Sequence, residues 1–548
     1  MLLGYLKKKI RYIGNSGNAQ GAAGQKPAET QGEWVAESLE ENLSSLKNIL
    51  SNSTDIKIHK FRFGPNRCFS GALVFIDGLV DNRTLTQAIL WPLMSWQPEG
   101  SRSSAGRQLL ETIGEDVLCA GEVGIQLSLQ GLVSGCLMGD TAVLVEGCAA
   151  GLVVNTKGWE KRSVTEPQSE TVVRGPREGF TENLRTNTAL IRRKIQNGKL
   201  RVEMMKVGRK THTNVCLLYL DGVADPKVVE EVKYRIGRIQ TDAILESGYI
   251  EEFIEDAPYS PFSTIWYTEK PDVVAGCMLE GRVAIVVDGT PFVLTVPMLF
   301  IECFQTAEDY YNRPLYASLM RMLRYLAFLI AVYAPAVYIA LTAFHQELIP
   351  TRLLLTIANA REETPFPGFV EALIMLLAFE ILREAGIRLP RPVGQAISIV
   401  GALIMGDAAV SAGLVGAPVV ITIARTAVAG FLIPNQNDSI SILRVVMMAL
   451  AWFAGWYGIS MGTMAVLFHL GSLSSFGVPY FDGFSRGSYM EDTFVRMPIW
   501  SMIRRPKGIA RGDVVRQGPY FPSLRPFESR DRNDEGTEKA TEEEKGHE

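Results

Sequence analysis

The chain has 548 residues, 47% of them hydrophobic, and a formal net charge of −4 with a sequence pI near 6.0. That length leaves room for several domains, and the mild acidity, with no array of interleaved aromatic and basic residues, argues against a nucleic-acid binder. Seven cysteines, none in a CxxC pair, and five scattered histidines give no legible metal site, and fit single buried thiols in a reducing compartment.

The amino-terminal "MLLGYLKKKIRYIG" lacks the continuous apolar core of a signal peptide, and residues 14–32 are rich in Gly, Ala, Gln and Asn, so residues 1–32 read as a flexible leader. A strand-length apolar run then meets Asp-Gly in "ALVFIDGLVD" (72–81), and the same pattern returns in "CLLYLDGVADPK" from Cys216. Leu73, Asp77, Gly78 and Asp81 match Leu217, Asp221, Gly222 and Asp225 at an offset of 144 (221 less 77). A second match joins "LMGDTAVLVEGCAAGLVV" from Leu137 to "LEGRVAIVVDGTPFVLTV" from Leu279, offset 142. Two matches in one order at nearly one offset indicate a duplicated module, so α/β subdomains are expected at 33–160 and 161–310. Asp81 and Asp225 stand where helix N-caps belong, with Pro226 at the favoured first helical position. Asp77–Gly78 and Asp221–Gly222 therefore read as structural turns; a lone Asp-Gly has no partner chemistry for catalysis. Between the modules, Arg174, Arg177, Arg185, Arg192, Arg193 and Lys194 form a basic strip that suits a solvated face or a subdomain or subunit contact.

From Tyr325 to Leu470 only fifteen of 146 residues are charged, half the whole-chain rate of 21%, which places this part in a membrane at 311–475. Tyr325–Phe344 and Val445–Phe468 are uncharged runs of spanning length, the first interrupted by Pro335, which predicts a kink. Val393–Val415 and Gly416–Pro434 carry one charge each, Asp407 and Arg425. Phe369–Leu382, with Glu371 and Glu380, is too short and too polar for an ordinary span. It reads as an interfacial or half-inserted helix whose continuation pairs Glu384 with Arg388 at i,i+4. Arg486, Arg496, Arg504, Arg505, Lys507, Arg511 and Arg516 make 476–548 a cytoplasmic basic segment ending in a disordered charged tail. With both ends inside, the expectation is an α-helical multi-pass domain of four spans plus the interfacial helix. That places Arg383, Arg388 and Arg391 outside; a five-span alternative relieves them but exports the tail.

"RGPREGFTENLRTNTALIRRKI", "EDYYNRP", "REAGIRLPRPVGQAISIVGALIMGDAAV" and "SFGVPY" resemble, in the same order from about residue 33 to about residue 505, the A subunits of GerA-type spore germination receptors. The related stage V sporulation membrane proteins share much of this pattern and are the second choice. The resemblance implies a multi-pass protein of the inner spore membrane; the soluble domain is expected in the cytoplasm because no export signal precedes it and Arg313, Arg321 and Arg324 precede the first span. It implies a transporter-like B subunit and a lipoprotein C subunit as partners, contact with membrane lipid, and no enzyme activity, cofactor or nucleic acid. It further implies a homo-oligomeric ring, a pentamer, acting as a nutrient-gated cation channel.

Within that frame Glu371, Glu380 and Glu384 are candidate pore residues, because one carboxylate per subunit makes a ring that favours cations. The alternative is an interfacial helix with its polar face in the headgroups. Asp407 and Arg425 lie nine residues either side of Gly416, at equal depth if "GLVGAP" turns an antiparallel hairpin, which suits an ion pair or a pore or gate charge. A secondary transporter and a membrane-anchored enzyme are the other function classes; the first would place its midplane site at this hairpin.

Overall fold

The computed structural model of the chain describes residues 33–97, 106–158, 167, 170, 172–362, 364–388, 406–482, 492–506, 508–510 and 512–518. The leader at 1–32, the tail beyond 518, and residues 393–405 of the expected Val393–Val415 span lie outside the described residues. The chain divides into two compact units, residues 1–159 with 196–198, and residues 160–195 with 199–548.

In the first unit, helix α1 (Leu39–Ile49) precedes a five-stranded antiparallel sheet. Its strands are β1 (Ile56–Phe63), β2 (Phe69–Ile76), β3 (Val123–Gln126), β4 (Thr141–Val145) and β5 (Gly151–Val154), in the order β1-β2-β4-β5-β3, with α2 (Leu129–Met138) packed on it. Residues 82–95 are helical, with a wider π turn over Leu85–Leu90.

The second unit opens with the same plan. Helix α3 (Leu184–Lys194) leads into β6 (Leu200–Val207) and β7 (Thr213–Leu220), then α4 (Pro226–Gly237), α5 (Ser247–Ile254), β8 (Trp266–Thr268), α6 (Pro271–Leu279), β9 (Val283–Val287) and β10 (Val293–Val296). The order β6-β7-β9-β10-β8 repeats that of the first sheet. Alternation sends Val215, Leu217 and Tyr219 into one core and Cys216, Leu218 and Leu220 into another. Both faces are covered, which is why β7 reads as a continuous apolar run rather than an alternating one. Each of these aliphatic side chains, fully buried, contributes roughly 1.5–3 kcal/mol against exposure.

The turns of the repeat have a conformational cause. Gly78 and Gly222 have φ of 90° and 82°, left-handed values that a Cβ makes costly. The Asp81 side chain accepts from Arg83 N–H and Thr84 N–H, and Asp225 accepts from Lys227 N–H, capping the following helices. The duplication also reaches the leading helices. The Glu146 carboxylate accepts from Leu39 N–H at 2.9 Å at the start of α1, and Asp288 from Leu184 N–H at 3.3 Å at the start of α3.

The second unit continues into α7 (Pro314–Ala343), α8 (Thr351–Glu362), α9 (Gly368–Arg388), α10 (Ala417–Phe431) and α11 (Asn437–Ser472), followed by the small hairpin β11 (Ser474–Ser475) and β12 (Val478–Pro479). Among the described residues, α7 and α11 are long and apolar enough to cross a membrane. At 15 residues, about 22 Å, α10 is shorter than the Gly416–Pro434 span expected from sequence, and α9 is longer than Phe369–Leu382 because its charged end continues the helix.

The expectation of a single span over Val445–Phe468 is corrected by the course of α11. At Gly455, φ is 57° and ψ −135°, a non-helical conformation, and the helix folds back on itself there. Ser439 near its start donates to the Pro261 carbonyl, and His469 near its end contacts the Ser260 hydroxyl at 2.9 Å. Thirty residues of straight helix would separate those two by about 45 Å. A Cβ on Gly458 would overlap the Leu450 carbonyl, and one on Gly462 would press on Met447, so the arms lie against each other. The 24 uncharged residues fill two arms and a turn, a distinction that hydropathy alone cannot make.

The hairpin "SFGVPY" packs back on the α/β part: the Ser475 hydroxyl donates to Thr264 O at 2.7 Å and the Tyr480 hydroxyl to Ser263 O at 2.8 Å. Beyond it, the described part of the basic segment docks on the second module, with Ala510 buried, Arg505 Nε donating to Leu279 O at 2.8 Å and Arg516 paired with Glu280.

Candidate functional site

Two clusters of charged side chains in the second unit involve the apolar helices, one at the foot of α7 and one among α9, α10 and α11. The foot is built from "EDYYNRP". This segment forms the short helix Glu308–Tyr311 and then, through Arg313 as N-cap and Pro314 at the first helical position, enters α7. The turn aims Asp309 back at α7, where Arg321 and Arg324 lie about two and three turns in from the start. Arg321, fully buried, joins Asp309 at 3.1 Å and Asp492 at 2.9 Å; Arg324 grips both Asp309 oxygens at 2.9 Å. The Tyr310 hydroxyl donates to Asp492 at 2.7 Å, and Arg496 donates to Tyr310 O at 3.1 Å. Burial pushes the Asp492 carboxyl up from its usual range while Arg321 pulls it down, and burial together with Asp492 pushes the Tyr310 phenol far up. Tyr310 therefore stays protonated, and donates.

This cluster fastens three pieces of chain to each other: the end of the second module, the root of the first long helix and the segment after the last one. A displacement of any one must be shared by the others or break buried ion pairs. Part of the basic strip joins the same region, since Glu308 accepts from the backbone N–H groups of Val173 and Arg174. Arg193 and Lys194 pair with Glu178 at 3.3 and 3.4 Å and Arg192 is buried, so the end of the strip is internal to the second unit, while Arg174, Arg177 and Arg185 are exposed.

Among the apolar helices, the structure distributes the expected residues unevenly. Glu371 is fully buried and accepts from Gly416 N–H at 2.9 Å and from the Thr364 hydroxyl at 3.1 Å, with Arg361 at 3.9 Å. Gly416 is the N-cap of α10 and has no side chain to cap it, so the Glu371 carboxylate supplies the negative charge that a helix amino end favours. Glu380 is held by Arg383 at 2.6 Å and by the Ser441 hydroxyl at 3.3 Å, with Arg444 at 3.6 Å. Glu384 and Arg388 pair at 2.6 Å on an exposed face, at the spacing the sequence predicts. Asp407 and Arg425 are both exposed, and among the described residues no ion pair joins them. Equal depth fixes height along a hairpin but leaves rotation about each helix axis open. Asp221 pairs with Arg201 at 3.0 Å at the edge of the second sheet, with no titratable neighbour placed for catalysis among the described residues.

Sequence reasoning missed Arg444, Asp309 and Asp492. Arg444 had a signal: it is the last charge before the 24-residue uncharged run. Asp492 had none, because its partner Arg321 lies 171 residues away.

The profile of the Bacillus/Clostridium GerA spore germination protein family matches residues 44–508. Spore germination protein KA of Bacillus subtilis is 45% identical over 88% of this chain and 89% of its own length. The uncharacterized membrane protein YfkQ of Bacillus subtilis is 44% identical over 87% and 93%. Spore germination protein GerLA of Bacillus cereus is 37% identical over 86% and 96%. Among solved structures, the N-terminal domain of the A subunit of the Bacillus megaterium spore germinant receptor GerK3 is 39% identical, covers 49% of this chain and 98% of that one, and superposes with a TM-score of 0.40.

Proposed function

The chain belongs to the GerA spore germination family, and we propose that it is the A subunit of a nutrient-responsive germination receptor. In this reading several copies form a membrane ring, with a B and a C subunit as partners, that opens as a cation channel. The carrying observation is the family match across the α/β modules and the apolar helices together. Two further features support the reading. Leu315, Leu319, Met322, Leu326 and Leu329 on α7 are exposed at alternating four- and three-residue steps, the seam that helices use to pack along one another. Trp452, Phe453, Trp456 and Tyr457 surround the tip at Gly455, and such aromatic clusters favour the membrane–water boundary.

The topology follows. α7 crosses outward, the chain between α7 and α11 returns to the inner side, and the two arms of α11 go out and return, which leaves the basic segment and both modules on the cytoplasmic side. Of the candidate pore charges, Glu371 caps α10 and Glu380 and Glu384 are paired with Arg383 and Arg388, so Asp407 and Arg425, exposed and in no ion pair among the described residues, are the charges offered to a pathway. The test is deletion of the gene followed by complementation. Spores lacking the chain lose germination, and the accompanying cation release, on at least one nutrient mixture, and the intact gene restores both. Unchanged germination on every mixture removes the receptor reading.

A further inference from the structure

Pro335 lies inside α7, which runs through it unbroken from Pro314 to Ala343. Proline has no N–H, so the carbonyl four residues earlier, on Ala331, loses its helical partner, and surrounded by apolar side chains such a carbonyl is costly unless a neighbour donates to it. Here the donor comes from another helix. Arg444 Nε of α11 bonds Ala331 O at 2.8 Å, with both residues buried. The same guanidinium turns Nη1 towards Glu380 of α9 at 3.6 Å, too far for a hydrogen bond, and Nη1 has no other hydrogen-bond partner among the described residues. Arg383 and Ser441 steady the Glu380 carboxylate in that position. One side chain therefore touches three helices, holding one bond fully and standing within roughly 1 Å of a second.

We propose that Arg444 is a two-position latch. In the position seen here it fills the hydrogen-bond vacancy that Pro335 opens in α7. In the other it moves onto Glu380, freeing the Ala331 carbonyl and letting α7 move against α9 and α11. A buried arginine cannot give up one partner without taking another, so the two arrangements are discrete rather than continuous. The latch is a property of the helices themselves; its use as the switch rests on the receptor reading.

Two measurements separate these statements. The full-length chain is produced in spores as wild type, Arg444→Gln, Pro335→Ala, and the double variant, and its amount and its melting temperature in detergent are compared. Arg444→Gln lowers both, with a severalfold loss in amount. Alanine at 335 restores the N–H that Ala331 lacks, so in the Pro335→Ala background Arg444→Gln costs clearly less. Losses that simply add overturn the latch. Arg444→Lys keeps the charge facing Glu380 but not the planar Nε–H; it accumulates near normally and shifts spontaneous germination, or the nutrient concentration for half-maximal response, severalfold. An unchanged response for Arg444→Lys and Pro335→Ala at matched protein amount overturns the switching role. Deletion of the whole chain without any germination defect does the same, while the coupling still decides the latch.

Discussion

At the scale of single residues, burial decides what each charge can do. Arg321 is wholly buried between Asp309 and Asp492, so removing its charge strands the Asp492 carboxylate and leaves Asp309 to Arg324 alone. Breaking one side of a buried pair costs about 3–5 kcal/mol, whereas an exposed pair such as Glu384–Arg388 contributes only about 0.2–1 kcal/mol. We expect Arg321→Leu to lose most of its folded protein, measured as amount in the membrane fraction, and Glu384→Gln to accumulate normally. Glu251, mostly buried and bonded to the Ser263 hydroxyl, has its carboxyl pushed up to about 7 by burial, helped by Glu255 and Glu246. Its folded value exceeds the ordinary 4.5, so its contribution is complete below pH 4.5 and is lost as pH rises through about 7. The melting temperature of the chain in detergent is therefore higher at pH 5.5 than at pH 8 for this group. Glu251→Gln flattens that difference by an amount on the order of 1–3 kcal/mol; an unaltered pH profile in this variant would remove Glu251 as its source.

At the scale of elements, the turn of α11 is the feature with most consequence. Gly455 has the left-handed φ, and a Cβ there would press on Phe344 at the end of α7. Gly455→Val therefore combines backbone strain of roughly 1–3 kcal/mol with a clash, and is expected to lower the amount of protein. Topology gives a sharper reading. Cysteine at Ser460 near the tip is expected to react with an impermeant outer reagent, while cysteines at Ser441 and Ser472 stay protected. Reaction at Ser472 would mean that α11 crosses once, as the run Val445–Phe468 suggested. The α/β elements were more legible: β2, β7, β4 and β9 stand where the two repeat matches put them, with N-caps at Asp81 and Asp225. The leading helices α1 and α3 escaped the repeat search because their correspondence lies in the capping carboxylates Glu146 and Asp288, not in matched residues of their own.

At the scale of the whole molecule, the exposed seam on α7 calls for neighbours, and the expected outcome is a detergent particle several times the 60.4 kDa chain mass. Native mass measurement decides it: a monomer would leave Leu315, Leu319 and Met322 facing solvent below the membrane. Asp77→Asn and Asp221→Asn are expected to keep germination when the protein accumulates, since turn geometry resides in Gly78 and Gly222. The sequence by itself determined the duplicated α/β modules, the apolar half and the family resemblance, because each depends on local periodicity or on residues read in order. Tertiary structure decided which charges meet. Asp407 and Arg425 stand nine residues either side of Gly416, yet no ion pair joins them among the described residues, whereas Arg321 meets Asp492 and Arg444 meets the Ala331 carbonyl across 171 and 113 residues. Depth in a helix follows from counting residues, but contact between helices depends on rotation about each axis and on where a chain reverses. Here a proline and a glycine set those, and their effects appear only when the helices pack.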